Sequence, residues 1–137
     1  MINRTTDTLS FSPISDDMCK LISLEAECDV PFPIRRVYYL YSTEIGVSRG
    51  NHAHRRLKQL MIAVHGSVNV RTECRLGVHE TKLDKPNIGL YLEGLTWRTL
   101  YNFSKDAVIL VLTDMPYDEN DYFRSYEQFK DALNDRV

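Results

Sequence analysis

The sequence has few of the residues that small disulfide-bonded or zinc-bound domains use for stability. Its 137 residues include three cysteines, Cys19, Cys28 and Cys74, and no two of them form a Cys-x-x-Cys pair. This number and spacing exclude a disulfide framework and a cysteine zinc site. The longest apolar run, 107–112, is far below the ~20 residues that span a bilayer, and the first ten residues hold no signal-like apolar run. We therefore expect a cytoplasmic protein with no membrane partner.

The chain also lacks an excess of either charge. Its formal net charge is -2, which gives no reason to expect nucleic acid as a partner. Hydrophobic residues make up 43% of the chain and charged residues 26%, as in an ordinary globular protein. No linker or repeat divides it, so we expect a single domain over 1–137, with 1–10 as a loose N-terminal tail.

Short extended segments dominate the sequence and predict an all-β sandwich or barrel. These segments are rich in β-branched and aromatic residues or alternate in polarity, and turn residues separate them. They lie at 34–41, 57–64, 67–72, 87–92 and 107–113. The end of the chain differs, because four apolar side chains recur there at helical spacing and predict a C-terminal helix packed on the barrel. They are Tyr122, Tyr126, Phe129 and Leu133.

The segment Arg49-Gly50-Asn51-His52-Ala53-His54 holds the main candidate for chemistry. In a strand, residues two apart point to the same face, so His52 and His54 present their imidazoles side by side. Imidazoles titrate near neutral pH and can accept and return protons. The alternative is a pair of buried histidines with a structural role, but the flanking Arg49 and the register with two glycines favour function.

The spacing of this segment is similar to that of the cupin motif. In metal-binding cupins the two histidines act with a glutamate and a third histidine. Here those two positions hold a neutral amide and a guanidinium, which has no lone pair to offer a metal. The matching residues are Gly46, His52, His54, Gln59 and Gly66, with Arg98 in place of the third histidine. We therefore predict a cupin jelly-roll barrel that uses neither a metal nor another cofactor.

Three arginines are candidates for binding an anionic substrate. Arg36, Arg49 and Arg98 are predicted to converge at one end of the barrel, where guanidinium groups suit a diphosphate. Tyr38 shares a strand face with Arg36. Trp97 is positioned to stack on a nucleobase or a sugar, with core packing as the alternative. The expected substrate-binding residues are Arg36, Arg49, Arg98, Gln59 and Trp97.

Several segments, in order along the chain, carry a resemblance to a known family. They are 31–39 (PFPIRRVYY), 49–54 (RGNHAH), 89–91 (GLY), 97–98 (WR), 102–108 (NFSKDAV) and 117–122 (YDENDY). The chain resembles the dTDP-sugar 3,4-ketoisomerases, the WxcM-like cupins of bacterial deoxysugar biosynthesis. A departure lies at 17–21 (DMCKL), where the family commonly has an Arg-Gly pair.

The resemblance implies a concrete activity and a concrete set of residues. Members of the family convert dTDP-4-keto-6-deoxy-glucose to a 3-keto-6-deoxyhexose for surface polysaccharides, as metal-free homodimers. It implies that His52 and His54 are the catalytic pair and that Tyr38, Arg36 and Arg49 line the same cleft. Three alternatives stay open at this point: a dTDP-sugar 3,5-epimerase, a non-catalytic sugar-nucleotide binding module, and a metal-dependent cupin oxygenase.

Overall fold

A computed structural model describes residues 6–135 of the chain, and its regular elements are mostly strands. The strands are β1 (Thr6–Ser10), β2 (Ile14–Ser15), β3 (Lys20–Leu21), β4 (Arg36–Leu40), β5 (Arg49–His54), β6 (Lys58–His65), β7 (Val68–Cys74), β8 (Gly77–Leu83), β9 (Ile88–Glu93), β10 (Trp97–Tyr101), β11 (Val108–Thr113) and β12 (Tyr122–Phe123). A 3-10 helix (Glu119–Asp121) precedes β12, and α1 (Tyr126–Asp135) follows it. No helix within the described part of the chain is long and apolar enough to cross a membrane.

Two antiparallel sheets of five strands each form the barrel. One has the order β1-β9-β6-β11-β4 and the other β12-β5-β10-β7-β8, while β2 and β3 form a separate hairpin. The inward-facing side chains of both sheets meet in one apolar core, which includes Met61, Val70, Leu100 and Val111. This all-β, cupin-like architecture confirms the predicted fold class.

Strand β6 is buried on both faces because a second apolar layer covers the outside of its sheet. Met61 and Ala63 face the barrel interior, while Leu60 and Ile62 pack outward against Phe32 and its neighbours. The five segments predicted as strands are confirmed as β4, β6, β7, β9 and β11, with ends that differ by one or two residues.

Two sequence predictions are wrong in detail. Residues 6–10 of the expected loose tail form β1, which pairs with β9. The pairing runs from Thr6 opposite Leu92 to Ser10 opposite Ile88. The rest of the expected tail, 1–5, lies outside the described residues. The C-terminal helix is confirmed, but it begins only at Tyr126. Tyr122 belongs to β12 and pairs with His54, because backbone pairing with β5 outweighs its helical spacing to Tyr126.

Candidate active site

Strand β5 carries the two histidines and is bulged just before them. Arg98 on β10 lies opposite His52, the register then shifts, and Thr99 lies opposite Gly50. The extra residue is Asn51, whose φ of 55° lies in the left-handed region. Such bulges bend a strand and redirect side chains, and they are common beside active sites. A side chain on Gly50 would approach the Arg98 carbonyl oxygen to 3.0 Å, so glycine permits the close approach of β5 to β10 here.

The two imidazoles lie against each other inside the barrel. Their ring centroids are 4.9 Å apart in an edge-to-face arrangement. His52 is half-buried, and its Nδ1 lies 2.9 Å from the carbonyl oxygen of Gly50. A carbonyl only accepts hydrogen bonds, so Nδ1 of His52 carries the proton in the neutral ring and Nε2 is left with a lone pair. His54 is only 2% exposed.

Side chains from β4, β6 and β10 form a hydrogen-bond chain beside the histidines. Arg98 donates from Nη1 to Oε1 of Gln59, and Gln59 donates from Nε2 to the hydroxyl oxygen of Tyr38 at 3.0 Å. Arg98 also donates from Nη2 to the carbonyl oxygen of Thr96 at 2.8 Å. Both Arg98 and Gln59 are 1% exposed. The predicted Gln59 and Arg98 positions therefore meet, but their polar groups bind mainly to protein atoms.

A cavity of about 150 Å³ opens beside this chain in the barrel interior. Its polar lining comes from Tyr38, Arg49, His52 and Arg98, and its apolar lining includes Met61, Leu100 and Val111. One cavity thus holds an imidazole, a phenol and two guanidinium groups on a mostly apolar background. Such a site suits proton transfer on a small polar substrate, because apolar walls exclude water from the reacting groups.

Burial and the Arg98 charge hold both histidines in the neutral form. Burial, reinforced by Arg98, lowers the pKa of His52 to about 4. The same two causes, with His52 as a third, lower the pKa of His54 to about 2. Burial raises the pKa of Tyr38, although Arg98 opposes that change. Burial also lowers the pKa of Arg98 to about 10, so at pH 7 the site holds two neutral bases, a neutral phenol and one buried cation.

The remaining predicted residues do not all reach this site. The Arg36 guanidinium lies 4.8 Å from the ring centroid of Tyr38 and 5.3 Å from that of Tyr117. Arg49 is exposed and lines the cavity. Trp97 is not brought to the site: it neighbours Arg98 on β10, so strand alternation turns it to the opposite face. There it packs edge-to-face on Tyr126 of α1, with centroids 5.3 Å apart.

Two residues that the sequence analysis did not assign to the site lie against the histidines. The ring of Tyr122 lies over both imidazoles, with centroids 5.0 Å from His52 and 4.3 Å from His54. The carboxylate of Asp121 lies 3.5 Å from Nδ1 of His54. Both residues belong to the family-like segment 117–122, which was the sequence signal that could have placed them at the site, whereas the helical spacing of Tyr122 indicated packing.

The donor set at this position does not suit a metal ion. The four positions that supply metal ligands in metal-binding cupins hold His52, His54, Gln59 and Arg98. The Arg98 guanidinium has no lone pair, carries a positive charge and already occupies the Gln59 carbonyl oxygen. Within residues 6–135, no group of three or more histidine, cysteine, aspartate or glutamate side chains is placed to bind a metal.

Comparisons with known proteins identify the family of this chain. The family model described as "FdtA: WxcM-like, C-terminal" matches residues 4–134. A curated relative, the TDP-4-oxo-6-deoxy-alpha-D-glucose-3,4-oxoisomerase of Aneurinibacillus thermoaerophilus, is 38% identical over 122 residues, which are 89% of this chain and 88% of the relative.

Solved structures of two bacterial 3,4-ketoisomerases share the fold. QdtA from Thermoanaerobacterium thermosaccharolyticum, in complex with TDP, has a TM-score of 0.94 at 34% identity and covers 99% of both chains. A histidine-to-asparagine variant of QdtA has been solved with TDP-4-keto-6-deoxyglucose. The WlaRB TDP-quinovose 3,4-ketoisomerase from Campylobacter jejuni has a TM-score of 0.88 at 37% identity, over 92% of this chain and 97% of its own. The chain therefore belongs to the FdtA/WxcM-like family of sugar-nucleotide 3,4-ketoisomerases.

Proposed function

We propose that this protein moves the ketone of TDP-4-keto-6-deoxyglucose from carbon 4 to carbon 3. The curated relative is named for this type of reaction, and the QdtA variant binds this compound. The reaction needs one proton exchanged at carbon and one at oxygen, and no net oxidation occurs. An enzyme for it needs a base, a hydrogen-bond donor for the ketone oxygen and a stabiliser of the negative charge that develops there.

The observation that carries this proposal is the direction of the hydrogen bonds from Arg98 to Tyr38. A guanidinium only donates, so the Gln59 oxygen accepts and the Gln59 amide group must donate to the Tyr38 oxygen. The hydroxyl proton of Tyr38 is thereby directed away from Gln59. Because Tyr38 lines the cavity, that proton is available to a ketone oxygen bound there.

His52 is the proposed base for the carbon-bound protons. It lines the cavity, it is neutral at pH 7, and Gly50 leaves its Nε2 with a lone pair. Nε2 takes the proton from carbon 3, the C3–H electron pair forms the C3–C4 double bond, and oxygen 4 receives a proton from Tyr38. The resulting enediol then loses the proton on oxygen 3, and the His52 imidazolium returns its proton to carbon 4.

The oxygen-bound protons are assigned to Tyr38 and His54. Tyr38 gives a proton to oxygen 4 and regains one from oxygen 3. His54 does not line the cavity but lies against the His52 ring, with centroids 4.9 Å apart, and is the proposed second acid–base group. The buried Arg98 charge stabilises the enediolate, since electrostatic interactions are stronger in a site shielded from water. Arg36, stacked on Tyr38, and the exposed Arg49 are the proposed ligands of the TDP phosphates.

We also propose that the protein acts in the cytoplasm as a homodimer. Besides the family resemblance, the support for a dimer is the outer face of β4, an edge strand of its sheet. Val37 and Tyr39 on this face are 54% and 62% exposed, and Tyr41, just after the strand, is 68% exposed, which is a large apolar area for a monomer to leave in water. Sedimentation velocity tests this: a dimer is expected, and a monomer at micromolar concentration would refute it.

The activity is tested by proton NMR of the protein with TDP-4-keto-6-deoxyglucose in deuterated water. We expect a 3-keto product with deuterium at carbon 4, because the proton taken from carbon 3 exchanges with solvent on the base. Deuterium at carbons 3 and 5 without movement of the ketone would instead identify an epimerase. An unchanged sugar spectrum with broadened nucleotide signals would identify a binding module.

Variants test the assigned residues in the same assay. His52→Asn and His54→Asn are each expected to lower kcat by about 10²–10⁴-fold, the usual contribution of a positioned acid or base, while TDP still binds. His65→Asn is the matched control, because His65 is exposed at the end of β6. Near-normal turnover by either of the first two variants would refute the two-histidine scheme.

A further inference from the structure

Asp121 is a buried carboxylate that ties the 3-10 helix to the segment after His54. Its side chain is 2% exposed. Oδ1 accepts the backbone N–H of Arg56 at 3.0 Å, and Oδ2 accepts that of Leu57 at 3.2 Å. The Asp121 carbonyl oxygen accepts the N–H of Arg55 at 2.8 Å. These three bonds fix the position of the carboxylate relative to β5, on which His54 lies.

The same carboxylate faces one nitrogen of His54. Oδ2 of Asp121 lies 3.5 Å from Nδ1 of His54, and both side chains are buried. Neither ring nitrogen of His54 has a hydrogen-bond partner within residues 6–135, and the Asp121 carboxylate is an acidic group within 4 Å of Nδ1. The Arg56 guanidinium also lies near Asp121, but its side chain is 71% exposed and water therefore screens its charge.

We propose that Asp121 is a positioning residue that holds His54 in the tautomer protonated at Nδ1. A carboxylate only accepts hydrogen bonds, so it attracts an N–H and repels a nitrogen lone pair. In a neutral ring the proton on Nδ1 leaves a lone pair on Nε2. On the proposed function, this makes Nε2 of His54 the atom that accepts a proton during turnover.

In this arrangement both histidines have the Nδ1–H tautomer, but a different acceptor sets it in each. His52 is held by the Gly50 carbonyl oxygen at 2.9 Å, and His54 by the Asp121 carboxylate. Both rings then offer Nε2 as the acceptor. A side-chain substitution removes the Asp121 carboxylate but not the Gly50 carbonyl oxygen. The tautomer of His54 can therefore be tested by mutation.

The test measures the tautomer directly, by ¹⁵N–¹H NMR of protein labelled in its histidines, with His54 signals assigned from their loss in His54→Asn. The wild-type protein is expected to show the Nδ1–H form at His54. In Asp121→Asn the remaining side-chain oxygen is expected to keep the shorter bond, from the Arg56 N–H at 3.0 Å, and to give up the Leu57 bond at 3.2 Å. The amide N–H then stands at the Oδ2 position and faces Nδ1, so we expect a shift toward the Nε2–H form. We expect kcat to fall at least about tenfold with little change in KM.

Asp118→Asn is the matched control. It removes the same charge from the turn that leads into the same 3-10 helix, and asparagine can keep the Asp118 bond to the backbone N–H of Asn120. Within the described residues the polar partners of the Asp118 side chain are the Asn120 N–H and Arg56, and no hydrogen bond or ion pair joins it to His54, so the tautomer and kcat are expected to stay as in the wild type.

An Nε2–H tautomer at His54 in the wild-type protein would overturn the proposal, and this holds even if Asp121→Asn does not fold. A loss of kcat in Asp121→Asn with the Nδ1–H form retained would also overturn it, because Asp121 would then only support the loop. If the wild-type protein showed the Nδ1–H form but did not isomerise the TDP-sugar, the positioning role would stand and the proposed function would fail.

Discussion

Replacing Gln59 by glutamate exchanges the buried amide NH2 group, a hydrogen-bond donor, for a carboxylate oxygen, an acceptor, and leaves the size of the side chain almost unchanged. In the wild-type protein the Gln59 amide donates to the Tyr38 oxygen. A glutamate at this position accepts from Arg98 and also from Tyr38, so the hydroxyl proton of Tyr38 turns toward residue 59. The variant therefore reverses one hydrogen bond beside the cavity while the protein keeps its packing.

The expected loss follows from the strength of the bond that must break. A hydrogen bond to a charged group contributes about 1.5–3 kcal/mol, and Tyr38 must give it up before it donates to the ketone oxygen. That barrier corresponds to a decrease in kcat of about 10- to 150-fold. The free energy of unfolding is not expected to fall, because the new carboxylate lies against the buried Arg98 guanidinium.

A double-mutant cycle with Tyr38→Phe separates this effect from the added negative charge. Initial rates of ketone migration are measured by proton NMR for the wild type, both single variants and the double variant, with thermal unfolding as the stability control. If Gln59→Glu acts through the Tyr38 proton, it lowers kcat less than about twofold in the Tyr38→Phe background. Losses that simply multiply, or an unchanged kcat in Gln59→Glu alone, would refute the reasoning.

Further outcomes are expected from pH and from residues at the edge of the site. Because the pKa of His52 is about 4, kcat/KM is expected to fall on the acid side near that pH. Arg98→Gln removes a positive charge and should move this acid limb to higher pH. A wild-type limb near 6.5 would contradict this prediction. The pKa of His54 is lowered to about 2, so below pH 6.5 the unfolded chain takes up a proton that the folded chain does not, and the free energy of unfolding should decrease. His54 contributes a slope of up to about 1.4 kcal/mol per pH unit in urea titrations, and His52 adds a similar slope down to its pKa of about 4. A stability that does not change between pH 6.5 and 5 would argue against neutral buried histidines. Trp97→Phe should lower the free energy of unfolding by about 1–3 kcal/mol and leave KM unchanged, since Trp97 packs on α1, and a raised KM would place it at the substrate. Arg49→Gln should raise KM by at least about tenfold in a salt-dependent way, and an unchanged KM would remove Arg49 from the phosphate site.

Most of the fold was predictable because local patterns and packing agree in the central strands. Segment 107–112 is apolar throughout, as suits β11 between β6 and β4 inside its sheet, and 34–41 is dense in the β-branched and aromatic residues that form β4. The exceptions are elements that depend on a distant partner. Residues 6–10 are polar and form a strand only because β9 offers its edge, and Tyr122 leaves the helical pattern only because β5 pairs with it.

The site was predictable where chemistry lies within one segment and less so where it is assembled across the barrel. The spacing of His52 and His54 placed them on one face, and the family motif placed Gln59 and Arg98 beside them. That Arg98 and Gln59 bind each other, rather than substrate alone, depends on β6 and β10 lying in opposite sheets. Asp121 lies 67 positions after His54, and only the completed barrel brings its carboxylate to the ring.

The Arg98 charge has two opposing effects on the proposed reaction, and their balance is what the site must control. A base with a pKa of about 4 rather than 6.5 accepts a proton less favourably by about 3 kcal/mol, and Arg98 is one cause of that. The same charge stabilises the enediolate that forms when the proton leaves carbon 3. Proton transfer from a neutral substrate to neutral His52 creates one cation and one anion, so Arg98 accelerates it only if it lies nearer to the sugar oxygens than to the imidazole. The bonds of Arg98 to Gln59 and to the Thr96 carbonyl hold the guanidinium in place, and the Gln59–Tyr38 bond puts the oxygen-binding group at the end of the same chain. A flexible lysine at this position would keep the charge but lose that fixed distance, which is why the geometry of the guanidinium, and not its charge alone, determines whether the two effects add up to catalysis.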